Sequence, residues 1–165
     1  MWLRKRWQRA GWAEGRALLV GQPVFLWPTR EGLRLAGLDL KPYVPSPAKL
    51  PHIAAVNEVR LYVAERSPTS EWTCERRLAQ ERESRAEHLP NAVVHTASER
   101  HAVEVELTQK ASRRMAPTLD ALSARFDAVL FFCSPPVRRQ LEALAATGRW
   151  PKLAVRDVPE PVAPS

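Results

Sequence analysis

The sequence predicts an α/β protein, with a three-layer domain on a mixed sheet preceded by a smaller region of helix, two strands and helix. Two observations support this class. From residue 52 onward, segments with apolar residues at three- and four-residue spacing alternate with short runs typical of strands. The second observation is the resulting order of elements, which is helix, three strands, helix, strand, helix, strand. The first three strands can form a meander, and a crossover helix then brings in a buried fourth strand.

The 165 residues divide into four regions. These are a helix–hairpin–helix region at 1–38, a proline-rich linker at 39–51, the α/β domain at 52–157, and a tail at 158–165 that we expect to be disordered. Within the α/β domain, helices are predicted at 52–65, 115–125 and 135–146, and strands at 71–77, 92–96, 102–108, 126–133 and 150–155. Segment 78–88 is rich in charge and lacks an apolar stripe, so we expect a solvated loop or a marginal helix there.

The first 38 residues predict a basic helix, a hairpin and a short second helix. In order, they are a helix at 1–11, strands at 15–20 and 23–27 joined by Gly21-Gln22, and a helix at 30–36 capped by Thr29. This order resembles the latter half of a winged helix, whose helix enters a DNA groove and whose hairpin forms the wing. A complete winged helix needs one or two more helices ahead of Met1. The alternative is an amphipathic helix and hairpin that pack on the rest of the chain.

The net charge of +7 favours a polyanionic partner, and we expect double-stranded DNA. Residues 1–30 hold six basic residues against Glu14 alone. The candidate DNA-contacting residues are Arg4, Lys5, Arg6 and Arg9 on the helix, Arg16 on the wing, and Arg113 and Arg114 farther along the chain. For the last two, the start of a solvated helix is an equally good interpretation.

Segment 102–108 alternates strictly, so Glu104 and Glu106 are predicted side by side on one strand face, with Val103 and Val105 on the other. One interpretation is a half-buried antiparallel strand with a solvated polar face. The other is a metal-dependent phosphodiesterase site, in which carboxylates hold Mg²⁺ and a lysine stabilises charge on the phosphate. Glu58 could complete the acidic cluster from the first helix of the domain, or it could be a solvated helix carboxylate.

Pro90-Asn91, followed by Val103-Glu104-Val105-Glu106, resembles the Pro-Asp…(Asp/Glu)-x-Lys motif of the restriction-endonuclease-like superfamily. The resemblance places Asn91 at the metal-binding aspartate, Glu104 at the acidic position and Glu106 at the lysine, with Lys110 as the nearest substitute. It implies Glu104 and Asn91 as ligands of Mg²⁺ if the site is active. An amide is a weaker ligand for a hard cation than a carboxylate, and a glutamate reverses the field on the phosphate. Both departures favour a degenerate site.

Over residues 1–157 the chain resembles the actinobacterial replication-relaxation family, which joins a winged helix to a nuclease-like domain. The resemblance rests on residues 28–37, His52 with residues 56–60, Trp72 with Glu75, residues 90–91, and residues 103–106 with Lys110. It implies a DNA-binding protein of plasmid or mobile-element replication or DNA processing, with a degenerate nuclease-like domain. The alternatives are an active Mg²⁺-dependent endonuclease or nickase, and a non-catalytic scaffold that binds a protein.

The remaining composition predicts a cytoplasmic protein. Cys74 and Cys133 are far apart and have no metal-binding spacing, which favours buried reduced thiols. No run of about 18 apolar residues is present, so we expect no membrane span. The basic start lacks the apolar core of a signal peptide. The oligomeric state is open, with a homodimer as one option.

Overall fold

The structure is a computed structural model that describes residues 2–17, 24–82, 88–109 and 112–160. The chain divides into two compact units, residues 1–50 and residues 51–165. Among the helices of the described ranges, none combines the length and the apolar character that crossing a membrane requires.

The first unit contains the predicted helix, two strands and helix. They are α1 (Trp2–Arg9), β1 (Ala13–Arg16), β2 (Phe25–Pro28) and α2 (Arg30–Leu35). The two strands pair antiparallel, with Ala13 opposite Pro28 and Arg16 opposite Phe25. Strand β1 therefore starts two residues earlier than predicted, and β2 two residues later. The predicted turn at Gly21-Gln22 lies outside the described residues.

Two glycines and a threonine fix the local geometry of this unit. Gly11 ends α1 at φ 71°, a left-handed conformation that glycine adopts without strain. The Thr29 hydroxyl donates to the Gly11 carbonyl at 2.6 Å and accepts the Gly32 N–H at 3.1 Å, which confirms Thr29 as the cap of α2. A Cβ at Gly32 would overlap the Trp12 carbonyl, so only glycine lets α2 approach the end of α1 this closely.

The second unit follows a short 3-10 turn at Pro47–Lys49. Its elements are α3 (Leu50–Arg66), β3 (Glu71–Cys74), α4 (Glu75–Glu81), β4 (Ala92–His95), β5 (Arg100–Glu106), α5 (Ser112–Arg125), β6 (Ala128–Cys133), α6 (Pro135–Ala145) and β7 (Leu153–Asp157). They form a five-stranded sheet in the order β3-β4-β5-β6-β7. The first three strands are an antiparallel meander, and β6 and β7 add in parallel, which confirms the predicted mixed sheet.

Helices cover both faces of this sheet. On one face, Ala55 and Val59 of α3 pack in a cluster with Ala92, Val94, Val103, Val105 and Phe132. On the other face, the buried side chains of α5 and α6 pack in a cluster with Val93, Ala102, Val129 and Phe131. Alternate residues of β5 thus point to different helix layers, as the pleat of a strand requires.

The prediction for segment 71–88 is partly wrong. Strand β3 ends at Cys74, and a helix, α4, follows at Glu75–Glu81. The Glu75 N–H donates to the Asn91 carbonyl at 2.8 Å, and Arg77 pairs with Glu81 one turn later at 2.7 Å. Leu78 packs against the core. This single apolar contact holds α4 against the domain although the segment has no row of apolar residues at helical spacing. Residues 83–87 lie outside the described part of the chain.

The interpretation of segment 102–108 as a half-buried strand is also wrong. Strand β5 lies at the centre of the sheet, between antiparallel β4 and parallel β6. Ala102, Val103, Glu104 and Val105 are all buried, because helices lie over both faces. The alternation itself is correct, but the face that carries Glu104 is not open to solvent.

Candidate functional site

Glu104 is the buried charged side chain at the centre of the sheet. It is 9% exposed, and its Oε1 lies 2.8 Å from Nε2 of His88. A buried carboxylate needs such a partner, because leaving water without one costs several kcal/mol. Arg125 of α5 donates to the His88 carbonyl at 3.1 Å and holds that loop in place. His88 was not predicted as a site residue, because it ends a charge-rich segment and no local pattern links it to β5.

Asn91 connects three elements of the second unit. Its Oδ1 accepts the backbone N–H of Val105 on β5 at 2.8 Å, and its Nδ2 lies 3.2 Å from Nε2 of His52 on α3. Its carbonyl accepts the N–H of Glu75, the first residue of α4. Both ends of the amide are therefore used. An aspartate could keep the bond from Val105 but has no N–H to offer His52.

Glu106 closes a local turn at the end of β5. Its Oε1 accepts the backbone N–H of Thr108 at 3.2 Å and the Thr108 hydroxyl at 3.0 Å. By alternation Glu106 shares the face of Glu104, as predicted. Where the motif has a lysine, this chain thus holds a carboxylate that bonds to its own turn. Lys110 lies outside the described residues.

The structure does not bring Glu58 into an acidic cluster. Glu58 is half-buried on α3, whose apolar side covers the sheet face formed by Val103 and Val105. Glu104 belongs to the opposite face, which it shares with Ala102. The sheet therefore separates the two carboxylates, and the prediction that Glu58 completes the cluster is wrong.

The described residues near Glu104 do not fit a Mg²⁺ site. Across residues 2–17, 24–82, 88–109 and 112–160, no group of three histidine, cysteine, aspartate or glutamate side chains could hold a metal ion. Mg²⁺ demands octahedral coordination by oxygen atoms. Of the two predicted ligands, Glu104 bonds to an imidazole and the oxygen of Asn91 accepts a backbone N–H.

The predicted DNA-contacting residues of the first unit lie at its surface. Lys5, Arg6 and Arg9 of α1 are exposed and Arg4 is partly exposed. Arg16 on β1 is exposed, and its guanidinium carbon lies 5.6 Å from the centroid of the Trp27 ring. The side chains of Arg113 and Arg114 are outside the described part, although their backbone belongs to the first turn of α5.

The charge of the chain is concentrated in the first unit. Residues 1–50 hold nine basic and three acidic residues, a net +6, and residues 51–165 hold sixteen basic and fifteen acidic, a net +1. The two units therefore differ sharply in their attraction for a polyanion.

The two cysteines are free and offer no metal or redox pair. Cys133 is buried, and burial raises the pKa of its thiol to about 11, with the negative charge of Asp157 adding to the shift. A thiol that stays protonated is a poor nucleophile.

Comparison of the chain with protein-family models, with curated proteins and with solved structures finds no match.

Proposed function

We propose that this chain is a double-stranded DNA-binding protein of plasmid or mobile-element replication or DNA processing. In this proposal α1 and the β1–β2 wing contact DNA as a partial winged helix. The second unit is a restriction-endonuclease-like domain that does not cut and supplies a second DNA contact.

The separation of charge between the units is the observation that carries the proposal. Residues 1–50 carry a net +6 and residues 51–165 a net +1. The α1 side chains Lys5, Arg6 and Arg9 are exposed, so phosphates can reach them without unfolding of the helix. Neutralising phosphates releases counterions, which makes such binding strong at low salt and weak at high salt.

The hydrogen bonds around β5 support the absence of cutting. Asn91 bonds to Val105 and His52, Glu104 to His88, and Glu106 to Thr108. Each side chain at a motif position is thus engaged within the protein. A carboxylate at position 106 also repels the phosphate that a lysine would attract.

The DNA contact is tested by fluorescence anisotropy of a labelled duplex over a salt series. The double variant Lys5→Gln/Arg9→Gln is compared with Arg60→Gln/Arg139→Gln, which removes the same charge from exposed helix positions of the second unit. We expect the first variant to lower the slope of log affinity against log salt by about 1.8, because two phosphate contacts are lost. The second variant should lower the slope by less, because the second unit carries a net charge of only +1. Equal effects of the two variants would contradict a DNA site on α1.

The absence of cutting is tested with supercoiled and linear DNA in Mg²⁺ and Mn²⁺. We expect no cleavage by the natural chain or by Asn91→Asp, because the new carboxylate still accepts the Val105 N–H and position 106 still lacks the lysine of the motif. Cleavage by the natural chain that Glu104→Ala abolishes would establish the active nuclease instead. Cleavage by Asn91→Asp alone would show a site one residue short of activity.

A further inference from the structure

The first unit has an apolar groove on its surface, separate from the exposed basic side chains of α1. The groove has a volume of about 390 Å³ and lies between α1, the hairpin and α2. Its main lining residues are Trp7, Trp12, Leu26, Trp27, Leu35 and Ala36. Trp27 is buried at the base, while Trp7 and Leu35 are 44% and 62% exposed at the rim. A cavity of this size can receive two or three side chains of a partner.

Exposed apolar side chains are concentrated in the first unit. Among the described residues, nine large apolar side chains are exposed, and eight of them lie between residues 3 and 44. Leu61 is the exception in the second unit. Three of these side chains, Trp7, Leu26 and Leu35, line the groove. Scattered apolar residues need no explanation, but exposed apolar side chains that meet at a concave surface mark an interaction site.

The charge of the unit decides between occupants. A second copy of the groove would bring two units of net +6 into contact, and their repulsion opposes such a pair. A membrane surface favours a convex apolar face, whereas these indole rings line a concavity. An acidic partner is attracted by the positive charge that repels a second copy, and its carboxylates can face the basic residues of α1.

From these observations we infer that the groove binds an amphipathic helix of an acidic partner protein. The apolar side of that helix inserts residues at i, i+3 or i+4, and i+7 between Trp7 and Leu35, as in other helix-in-groove complexes. Its acidic residues lie along the rim toward α1, where Arg4 is one turn before Trp7. This inference does not depend on DNA binding, because the apolar contacts are made by the groove, but the carboxylates of the partner and DNA would compete for the basic side chains of α1.

The test uses the full chain and a panel of capped helical peptides about four turns long, the reach of a helix-in-groove ligand. All members share a glutamate-rich face and carry different sets of leucine, phenylalanine and tryptophan on the opposite face. Scrambled versions with the same composition lack the apolar stripe. Binding is measured by isothermal calorimetry against the natural chain, Leu35→Gln and Leu61→Gln. Leu61 is 59% exposed on a helix of the second unit, so it matches Leu35 in residue type and exposure.

We expect at least one peptide to bind tighter than its scrambled version, and Leu35→Gln to weaken that binding about ten-fold, because it removes a rim anchor. Leu61→Gln should leave the affinity unchanged, and far-ultraviolet circular dichroism should show both variants folded. Replacing the glutamates of the peptide by glutamine should also weaken binding. Equal affinities of the two variants, or no preference for any striped peptide, would overturn the inference. Two other results would also overturn the inference. If the chain self-associates and only Leu35→Gln abolishes this, the groove binds a second copy. If the chain binds phosphatidylglycerol vesicles and only Leu35→Gln abolishes this, the groove binds a membrane surface.

Discussion

Replacing Asn91 by alanine removes two hydrogen bonds that connect the start of β4 to β5 and α3. The loss in the free energy of unfolding follows from these two bonds. The first is donated by the backbone N–H of Val105, a residue that is 3% exposed, so water does not readily replace the lost acceptor. A buried donor left without a partner costs about 1–3 kcal/mol. The second bond, to His52, contributes about 0.5–1.5 kcal/mol. We therefore expect Asn91→Ala to destabilise the second unit by about 1.5–4.5 kcal/mol.

Two control variants test whether the loss of stability comes from these two hydrogen bonds. Asn91→Asp keeps an acceptor for Val105 and loses only the donor to His52, so its expected cost is about 0.5–1.5 kcal/mol. Asn57→Ala changes the same residue type at an exposed position of α3, and should cost less than about 0.5 kcal/mol.

The free energies of unfolding are measured by urea titration followed by far-ultraviolet circular dichroism, with unchanged m-values as the condition for comparison. Hydrogen exchange of the Val105 amide, read by nuclear magnetic resonance, reports the bond directly. It should be protected in the natural chain and in Asn91→Asp, and faster in Asn91→Ala. An unchanged exchange rate in Asn91→Ala, or a cost no larger than that of Asn57→Ala, would refute the reasoning.

Three further predictions follow from single contacts. Gly32→Ala should destabilise the protein more than Gly148→Ala, because the added Cβ overlaps the Trp12 carbonyl. At Gly148 (φ 73°) a Cβ meets open space, so that variant costs only about 1–2 kcal/mol of backbone strain. Thermal unfolding of both variants tests which of them is the less stable. The pKa of the Cys133 thiol is raised by burial from its ordinary 9.0 to about 11, so the folded state keeps a proton that the unfolded state releases. The contribution of this thiol to the free energy of unfolding is fully present below pH 9 and is lost as the pH rises toward 11. The urea midpoint should therefore fall less over this pH range in Cys133→Ala than in the natural chain. Glu104→Ala should cost about 1.5–3 kcal/mol, because it removes a hydrogen bond to a charged group. Glu104→Gln should cost less, since glutamine keeps a hydrogen-bonding partner for His88, and equal urea midpoints of the two variants would contradict this.

The order of elements was readable from the sequence because the periodicity of each segment is local. Alternation in 102–108 and the unbroken apolar run at 126–133 predicted two strands of one sheet, and β5 and β6 do belong to one sheet, where they pair in parallel. Helix α4 was not firmly predicted, because its stability comes from Leu78 in the core and a bond to the Asn91 carbonyl. Both contacts are tertiary and leave no periodic signal.

The candidate site was less predictable, because its bonds join residues that are distant in the sequence. His88 and Glu104 are 16 residues apart, and His52 and Asn91 are 39 apart. The alternation correctly placed Glu104 beside Glu106. It could not show that helices cover that face as well as the other, nor that Glu58 lies across the sheet.

The central position of β5 has a consequence for synthesis of the chain. Its antiparallel neighbour β4 precedes it by a short connection, but its parallel neighbour β6 begins at residue 128. On a ribosome, the open backbone edge and apolar faces of β5 emerge before the segment that covers them. Exposed strand edges recruit other chains. We expect nascent chains halted before residue 128 to aggregate or to occupy chaperones, while chains extended past β7 remain dispersed.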